Sequence, residues 1–521
     1  MKHMVIVITL FLAFGCSSTS NTPLQESALG YHYFLNLKAL QTDKLQVTLE
    51  IDRLDQDVVA YCFPKIVPGI YGVMNFGQYI SSLEAIDDNG KPLEVRKIDE
   101  NCWEISGAKR LERITYQVDD AWEEFDISQQ KGFYRSAASS FKEDVFVINN
   151  NCLFGYFKGE EDWPVHLVVE RPDHLYGATS LNKKKGQAAA DKDIFTASDY
   201  HQLVDNPILY AVPDTTLIHL PEIEVEVACY SNSGEKLSKE IAKFIEPLLK
   251  NQSIYLGGQL PVSKYTFLIY HHFDPELNGY AGDGLEHSYS TLILYCMPKD
   301  LEILRQSTYQ IASHEFFHIL MPLGLHSHEI ADYDFNDPKF SKHLWLYEGM
   351  TEYFTIHMPI KNGIQTLPDF VKTLERKIKA MQEYDNTIPL TELSADAMNR
   401  QDQYYNVYLK GALLNLCLDI ELRELSKGAY GVQNLVFDLI QEYGRDKPFA
   451  DDDLFGEIVK TTGFPKVDGF IDRYISGSDP LPLEEQLHKV GFDLDRDSGQ
   501  IKTRPDLTAA QKKLRQYWIN Q

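Results

Sequence analysis

The hydrophobic repeat of this chain changes period once, and that change is the strongest constraint on its fold. From about 29 to 175, apolar residues alternate with polar ones in short runs, as in Lys44–Ile51 and Arg113–Val118, broken by turn signals. Asp88-Asn89-Gly90 reads as a hairpin turn. Period-2 runs of this length predict an all-β domain of the sandwich kind. Lys183–Lys192, charged and Ala-rich, reads as a surface loop, and Pro207 and Pro213 mark a boundary. Beyond it the spacing becomes helical: Leu237, Ile241, Phe244, Ile245 and Leu248 share one face. Strands are expected at Tyr265–Tyr270 and Thr291–Cys296, then helices at Leu301–Met321 and Leu344–His357. From about 366 onward nearly everything is helical. Tyr404–Lys427 is the longest helix, stopped by Gly428; Val432–Tyr443, Asp451–Thr461 and Val467–Ile475 are stopped by Gly444, Gly463 and Gly477. The pattern predicts an α+β multidomain protein with a β domain at 29–205, a mixed domain at 206–365 and a C-terminal helical domain at 366–521.

The 521 residues carry 50 Lys plus Arg against 76 Asp plus Glu, a net charge of −26. That excludes nucleic-acid binding as the main task, because the only compact basic run, Lys183-Lys184-Lys185, lies in the expected loop. It also argues against attraction to an anionic membrane surface. Lys2 and His3 precede an apolar run, Met4–Phe14, too short to span a bilayer but suited to a signal-peptide core. Gly15-Cys16 and a following Ser/Thr stretch resemble a bacterial lipoprotein signal, implying lipidation at Cys16 and a flexible tether at 17–28. A plain secretory signal or an uncleaved anchor is the alternative. The tether lacks an acidic run, so the expected location is the bacterial cell envelope, lipid-anchored and facing the periplasm. No other run is long enough for a transmembrane helix. Six further cysteines (Cys62, Cys102, Cys152, Cys229, Cys296, Cys417) are widely spaced without a C-x-x-C pair, which argues against a cysteine-based zinc site. Cys417 reads as core; the pairing of the others stays open.

The chemistry concentrates in His314-Glu315-Phe316-Phe317-His318. On a helix, positions i and i+4 share a face, so both imidazoles reach one metal ion. Glu315 stands beside them, placed to take a proton from an attacking water. The surrounding Ser307–Leu320 is largely apolar, and buried imidazoles and carboxylates are costly unless paired or metal-bound. A catalytic zinc needs a third protein ligand and an open position. Glu348, within Leu344-Trp-Leu-Tyr-Glu-Gly-Met-Thr-Glu-Tyr-Phe354, is the candidate, and Glu352 one turn on can fix a ligand tautomer.

Together, the 314–318 and 344–354 segments resemble the gluzincin peptidases, in particular the glycyl aminopeptidase family, related to the aminopeptidase N group. Asp283-Gly284-Leu285-Glu286-His287 is similar to the family's G-G-L-E-H, with Asp283 at the first Gly. Tyr408-Leu409-Lys410-Gly411 matches Y-x-K-G, Pro68-Gly69-Ile70-Tyr71 resembles P-G-S-Y, Leu203–Pro207 resembles L-V-D-S-P, and Gly477–Leu483 resembles G-T-x-P-L-P-Y. The resemblance spans about 30–495. It implies a thermolysin-like catalytic domain and Zn2+ held by His314, His318 and Glu348. It also implies Glu315 as general base, Glu286 at the substrate's free α-amine, Gly284 where the substrate backbone approaches the strand, and Tyr408 as donor to the oxyanion. Tyr405 is the alternative donor. The Ile319–His328 segment lacks the basic cluster the family often carries there, so substrate contacts at that cluster are not implied. His326 and His328 read as solvated loop residues rather than extra ligands. The stretch after Asp495 is too short for the PDZ module many members carry, so a member without it is expected.

The leading expectation is thus an exported zinc aminopeptidase acting on peptides with a free N-terminus, small first residues such as Gly or Ala being implied by the resemblance. A zinc endopeptidase with the same metal site is the second reading, and a non-catalytic peptide-binding lipoprotein the third. Oligomeric state is left open.

Overall fold

The computed structural model describes residues 30–122, 134–184, 191–274 and 281–520. The segment 1–16 with Cys16, and the tether 17–28, lie outside the described residues. Among those described, no helix is long and apolar enough to cross a membrane.

The N-terminal region is β, as the period-2 pattern requires. Seven strands form one sheet in the order 182–183, 192–197, 165–170, 31–36, 44–51, 111–119, 80–87. Four more, at 156–157, 58–62, 102–106 and 94–97, form a second sheet. Tyr33, Tyr61, Phe63 and Tyr116 fill the core between them. Cys62 and Cys102, directly opposite in neighbouring strands, form a disulfide. Cys152, Cys229, Cys296 and Cys417 are buried free thiols. A third sheet (176–178, 208–211, 145–148, 140–142) places its strand Ile208–Ala211 just past the boundary expected at 205.

Two local readings change. The Asp88-Asn89-Gly90 turn forms, with Gly90 at φ +72°, but only Ile86 and Pro92 bridge across it. The chain then leaves for the second sheet, so the turn joins two sheets rather than two paired strands. The expected loop at 183–192 has strands at its two ends, Asn182–Lys183 and Lys192–Ala197. Lys183 is drawn in by the buried Asp193, 2.8 Å from its ammonium.

The middle region carries a five-stranded sheet ordered 215–219, 224–231, 264–273, 290–297, 281–287. Its three inner strands are parallel, and Ala281–His287 is an antiparallel edge strand. The third N-terminal sheet lays Val145, Val147 and Leu209 on Ala228, Leu268, Leu292 and Leu294 of this sheet. This apolar layer docks the β region onto the middle one.

Three helices carry the site residues, and the first of them packs with Ser238–Tyr255 on the opposite side of the sheet. Leu301–Phe317 starts at Asp300, whose carboxylate caps the N–H groups of Glu302 and Ile303. It ends four residues short of the expected Met321: residues 318–320 bond back i→i+3, and Pro322 supplies no N–H. Leu344–Lys361 is buried at every residue except Glu352 and Lys361, as befits a helix apolar on all sides. It crosses Asn406–Leu425 at Gly349 and Gly411, where a Cβ on either glycine would lie 2.7 or 2.8 Å from the other's Cα. Only paired glycines permit this approach. The helical C-terminal region also holds a small hairpin, Phe492–Leu494 with Ile501–Thr503, within the nearly all-helical stretch expected from 366 onward.

Candidate active site

His314 and His318 emerge one turn apart from the end of the first helix, and Glu348 from the first turns of the second. Their ligand atoms lie within 4.8 Å of one another. Glu348 Oε2 is 3.3 Å from His314 Nε2 and 3.4 Å from His318 Nε2. The far nitrogens are committed elsewhere. His314 Nδ1 donates to Glu352 Oε2 at 3.0 Å, and His318 Nδ1 donates to the Met321 carbonyl at 2.9 Å. Both Nε2 atoms are thereby left as lone-pair donors toward one point, the tautomer a metal requires. Lys377 holds the other oxygen of Glu352. Burial opposes ionisation of Glu348, but His318 and His314 overcome it and hold the carboxyl far below the usual range. Burial likewise opposes Glu352, and Lys377 and His314 bring it down to about 2. Two imidazoles, one ionised carboxylate and fixed tautomers fit a tetrahedral zinc with one position open.

Glu315 is 7 % exposed, and its Oε2 has no hydrogen-bond partner among the described residues. Burial pushes its carboxyl up to about 7, against the pull of His314 and His318. Such a group accepts a proton readily near neutral pH. Glu286, on the edge strand, stands with Glu315 and His318 in a second cluster whose polar atoms also lie within 4.8 Å. Burial raises its pKa, with His318 opposing. Gly284 lies against Glu315: a Cβ there would sit 2.8 Å from Oε1. The Asp205 carboxylate of the Leu203–Pro207 segment accepts from Ser288 N at 3.2 Å and so holds the turn that follows the edge strand. Asp283 points the other way. It is half-buried and accepts from Ser136 N and Oγ at 3.1 and 2.9 Å, tying the edge strand to the β region.

Tyr408 faces the site from the third helix, its ring 5.7 Å from that of His314. Its hydroxyl is 2.7 Å from that of Tyr404. Burial and the Glu348 charge push Tyr408 well above 10, so it stays a donor. Tyr405 is 55 % exposed and stacks on the outer side of Tyr408. Lys410 reaches away and donates to the carbonyls of Asn386 and Ile388, both at 2.9 Å. His326 is buried but donates to the Pro322 carbonyl, and His328 pairs with Asp332; neither joins the ligand cluster. Cys16 lies outside the described residues.

Sequence reasoning missed Tyr71, whose hydroxyl donates to Glu348 Oε1 at 3.1 Å, and Tyr404 and Lys377. The Pro68–Tyr71 motif was the available signal for Tyr71. Lys377, on the 367–381 helix, and Tyr404, in the turn before Asn406, had none beyond being polar residues.

Comparison with known proteins agrees with this geometry. Residues 32–212 match the Peptidase M61 N-terminal domain and residues 307–414 match the M61 glycyl aminopeptidase domain, together more than half of the chain. No curated protein matches the chain. An aminopeptidase N family protein from Idiomarina loihiensis shares the fold with a TM-score of 0.76 and 24% identity, over 89% of this chain and 79% of that one. A mutant M1 zinc metallopeptidase from Deinococcus radiodurans, bound to a Tyr-Ser-Ala substrate, aligns with a TM-score of 0.51 and 14% identity, over 87% of this chain and 96% of that one. A two-domain M1 zinc metallopeptidase mutant bound to L-arginine gives 0.51 and 12%, over the same shares of the two chains. The motif order, the ligand cluster on two crossing helices and both domain matches lead to one conclusion: this chain belongs to the glycyl aminopeptidase family, M61, of zinc metallopeptidases.

Proposed function

We propose that the chain removes single residues from the free N-terminus of peptides in the cell envelope, with Glu315 as general base. The observation that carries the exopeptidase reading is the Glu286 carboxylate, set within 4.8 Å of Glu315 and His318 at the end of the edge strand. A carboxylate there pairs with an α-ammonium and leaves a blocked N-terminus without a partner. His314, His318 and Glu348 would hold the zinc, which polarises a water and the scissile carbonyl. Glu315 Oε2 takes the proton from the attacking water and returns it to the leaving amine nitrogen. Tyr408 donates to the carbonyl oxygen as negative charge builds there. Gly284 leaves the space over Glu315 clear for the substrate backbone.

Side-chain preference has two supports that differ. Family resemblance favours Gly or Ala. The structure has a cavity of about 480 Å³ bordered by Glu286, Leu285, Pro68, Leu323, Ile330 and Arg445, which favours a larger first residue. Export is supported by the Cys62–Cys102 disulfide, which persists in oxidising compartments, and by the resemblance of 1–16 to a lipoprotein signal. If Cys16 is lipidated, Cys16→Ser will move the protein from the membrane fraction to the soluble one; unchanged membrane association removes that assignment.

The deciding assay uses zinc-loaded protein on glycyl, alanyl and leucyl chromogenic amides, each free and N-acetylated, with and without chelator. Chelator-sensitive cleavage of the free forms alone is expected. Equal cleavage of acetylated forms would make the protein an endopeptidase, and cleavage of neither would leave a peptide binder.

A further inference from the structure

The loop bearing Tyr71 belongs to the N-terminal β region, yet it meets both Glu348 of the ligand cluster and Glu286 beside that cluster. Tyr71 Oη donates to Glu348 Oε1 at 3.1 Å, while Oε2 of the same carboxylate faces His314 and His318 at 3.3 and 3.4 Å. One oxygen is turned to the imidazoles and the other is held by a phenol from another region of the chain. Tyr71 is 6 % exposed. The Tyr404 ring lies 4.9 Å and the Phe340 ring 6.1 Å from its own, and its carbonyl accepts from the Gln401 side chain. Two residues earlier, Gly69 (φ +82°) packs so close to Glu286 that a Cβ would lie 2.9 Å from Oε2. The loop is therefore fixed from several sides against the site.

We propose that Tyr71 is a positioning residue for the metal. By engaging Oε1 it keeps Glu348 a one-oxygen ligand and leaves the fourth zinc position open. A carboxylate free to swing presents both oxygens to a cation, and the second would fill the position a water needs. Partners of metal ligands typically contribute about 10- to 100-fold in affinity or activity. The inference rests on the zinc reading of His314, His318 and Glu348. It also makes the β region part of the metal site, because among the described residues no side chain of the two ligand-bearing helices bonds Glu348 Oε1.

The test compares Tyr71→Phe, which keeps the ring and removes the hydroxyl, with Ile70→Val in the same loop, both in the full chain. Zinc affinity is read by competition with a chromogenic chelator, and coordination by the visible absorption of the Co2+-substituted protein. Tyr71→Phe is expected to weaken zinc binding about 10- to 100-fold and to change the cobalt band intensity. It should lower kcat while KM for an alanyl amide stays within about twofold. Ile70→Val should leave all of these at the wild-type values. Unchanged zinc affinity and an unchanged cobalt spectrum in Tyr71→Phe overturn the proposal. Equal shifts in both variants also overturn it, because loop packing rather than the hydroxyl would then be responsible. Wild-type protein that binds zinc and shows these shifts on substitution, yet cleaves no free-amine amide, would sink the aminopeptidase reading and leave the role of Tyr71 standing.

Discussion

The two walls of the site are assembled in different ways. On the helical wall, His314, Glu315, His318, Glu348, Glu352 and Tyr408 ride on three helices whose spacing is set by Gly349 against Gly411. Within each helix the i,i+4 geometry aims the side chains before any tertiary contact forms. On the β wall, Glu286 and Tyr71 come from an edge strand and a loop of separate regions. Their placement depends on docking: the third sheet on the catalytic sheet, Asp283 on Ser136 and Asp205 on Ser288. In the proposed function, the helical wall would supply the reacting groups, while the β wall would select the substrate end and steady Glu348. Substitutions on the first should therefore act mainly on kcat; on the second, Glu286 should act on KM, and Tyr71 on metal affinity with kcat following the metal.

The largest expected effect is that of Glu315→Gln. It should retain zinc by elemental analysis and lose about 10³- to 10⁴-fold in kcat. Near-wild-type turnover would end the general-base assignment and with it the helical wall's catalytic role. Tyr408→Phe should cost about 10²- to 10³-fold in kcat with little change in KM. Tyr405→Phe should cost far less, and a reversed order would transfer the donor role to Tyr405. Glu286→Gln should raise KM for free-amine amides well above its effect on acetylated ones; equal effects would break the contrast between the walls.

Gly411→Ala addresses the spacing itself. A methyl would meet Gly349 Cα at 2.8 Å, so stability should fall by about 1–3 kcal/mol, read from chemical denaturation, and Tyr408 should be displaced from His314. Full stability with full activity would show that this contact does not set the crossing.

Acid should separate the two regions more gently. Burial lowers His357 to about 3, and it lies between the Tyr255 hydroxyl and the Trp518 carbonyl. The unfolded chain has its His pKa near 6.5. Below that value the unfolded state takes up a proton that the folded state refuses until about pH 3. Stability is thus complete above 6.5 and is lost as pH falls between the two values, on the order of 1 kcal/mol per pH unit. Hydrogen exchange at pH 4.5 should show the helices at 344–361 and 509–519 opening before the disulfide-linked strands at 58–62 and 102–106. Simultaneous opening would mean the two regions unfold as one unit.

Legibility followed the same division. The motif 314–318 and the 344–354 segment could be read because helical periodicity turns sequence spacing into spatial proximity. The glycines of both 344–354 and Y-x-K-G stood in recognised motifs, but their mutual contact was invisible, because it joins helices that pair only in the folded state. The N-terminal motifs Pro68–Tyr71 and Leu203–Pro207 were noticed without a role. Nothing local says that Tyr71 points to Glu348 or that Asp205 holds the edge-strand turn. The cysteines were similarly silent: only the pairing of strands 58–62 and 102–106 selects Cys62 with Cys102.

By itself, then, the sequence determined the succession of a β region, a mixed region and a helical region, together with the His314, His318 and Glu348 candidates on two helices. Those features depend on local periodicity and on side-chain chemistry, both of which belong to short stretches of chain. Only the tertiary structure decided which oxygen of Glu348 faces the imidazoles, which tyrosine stands beside His314 and what borders Glu286. Those are contacts between residues far apart in the chain, set by sheet docking and helix crossing rather than by local periodicity.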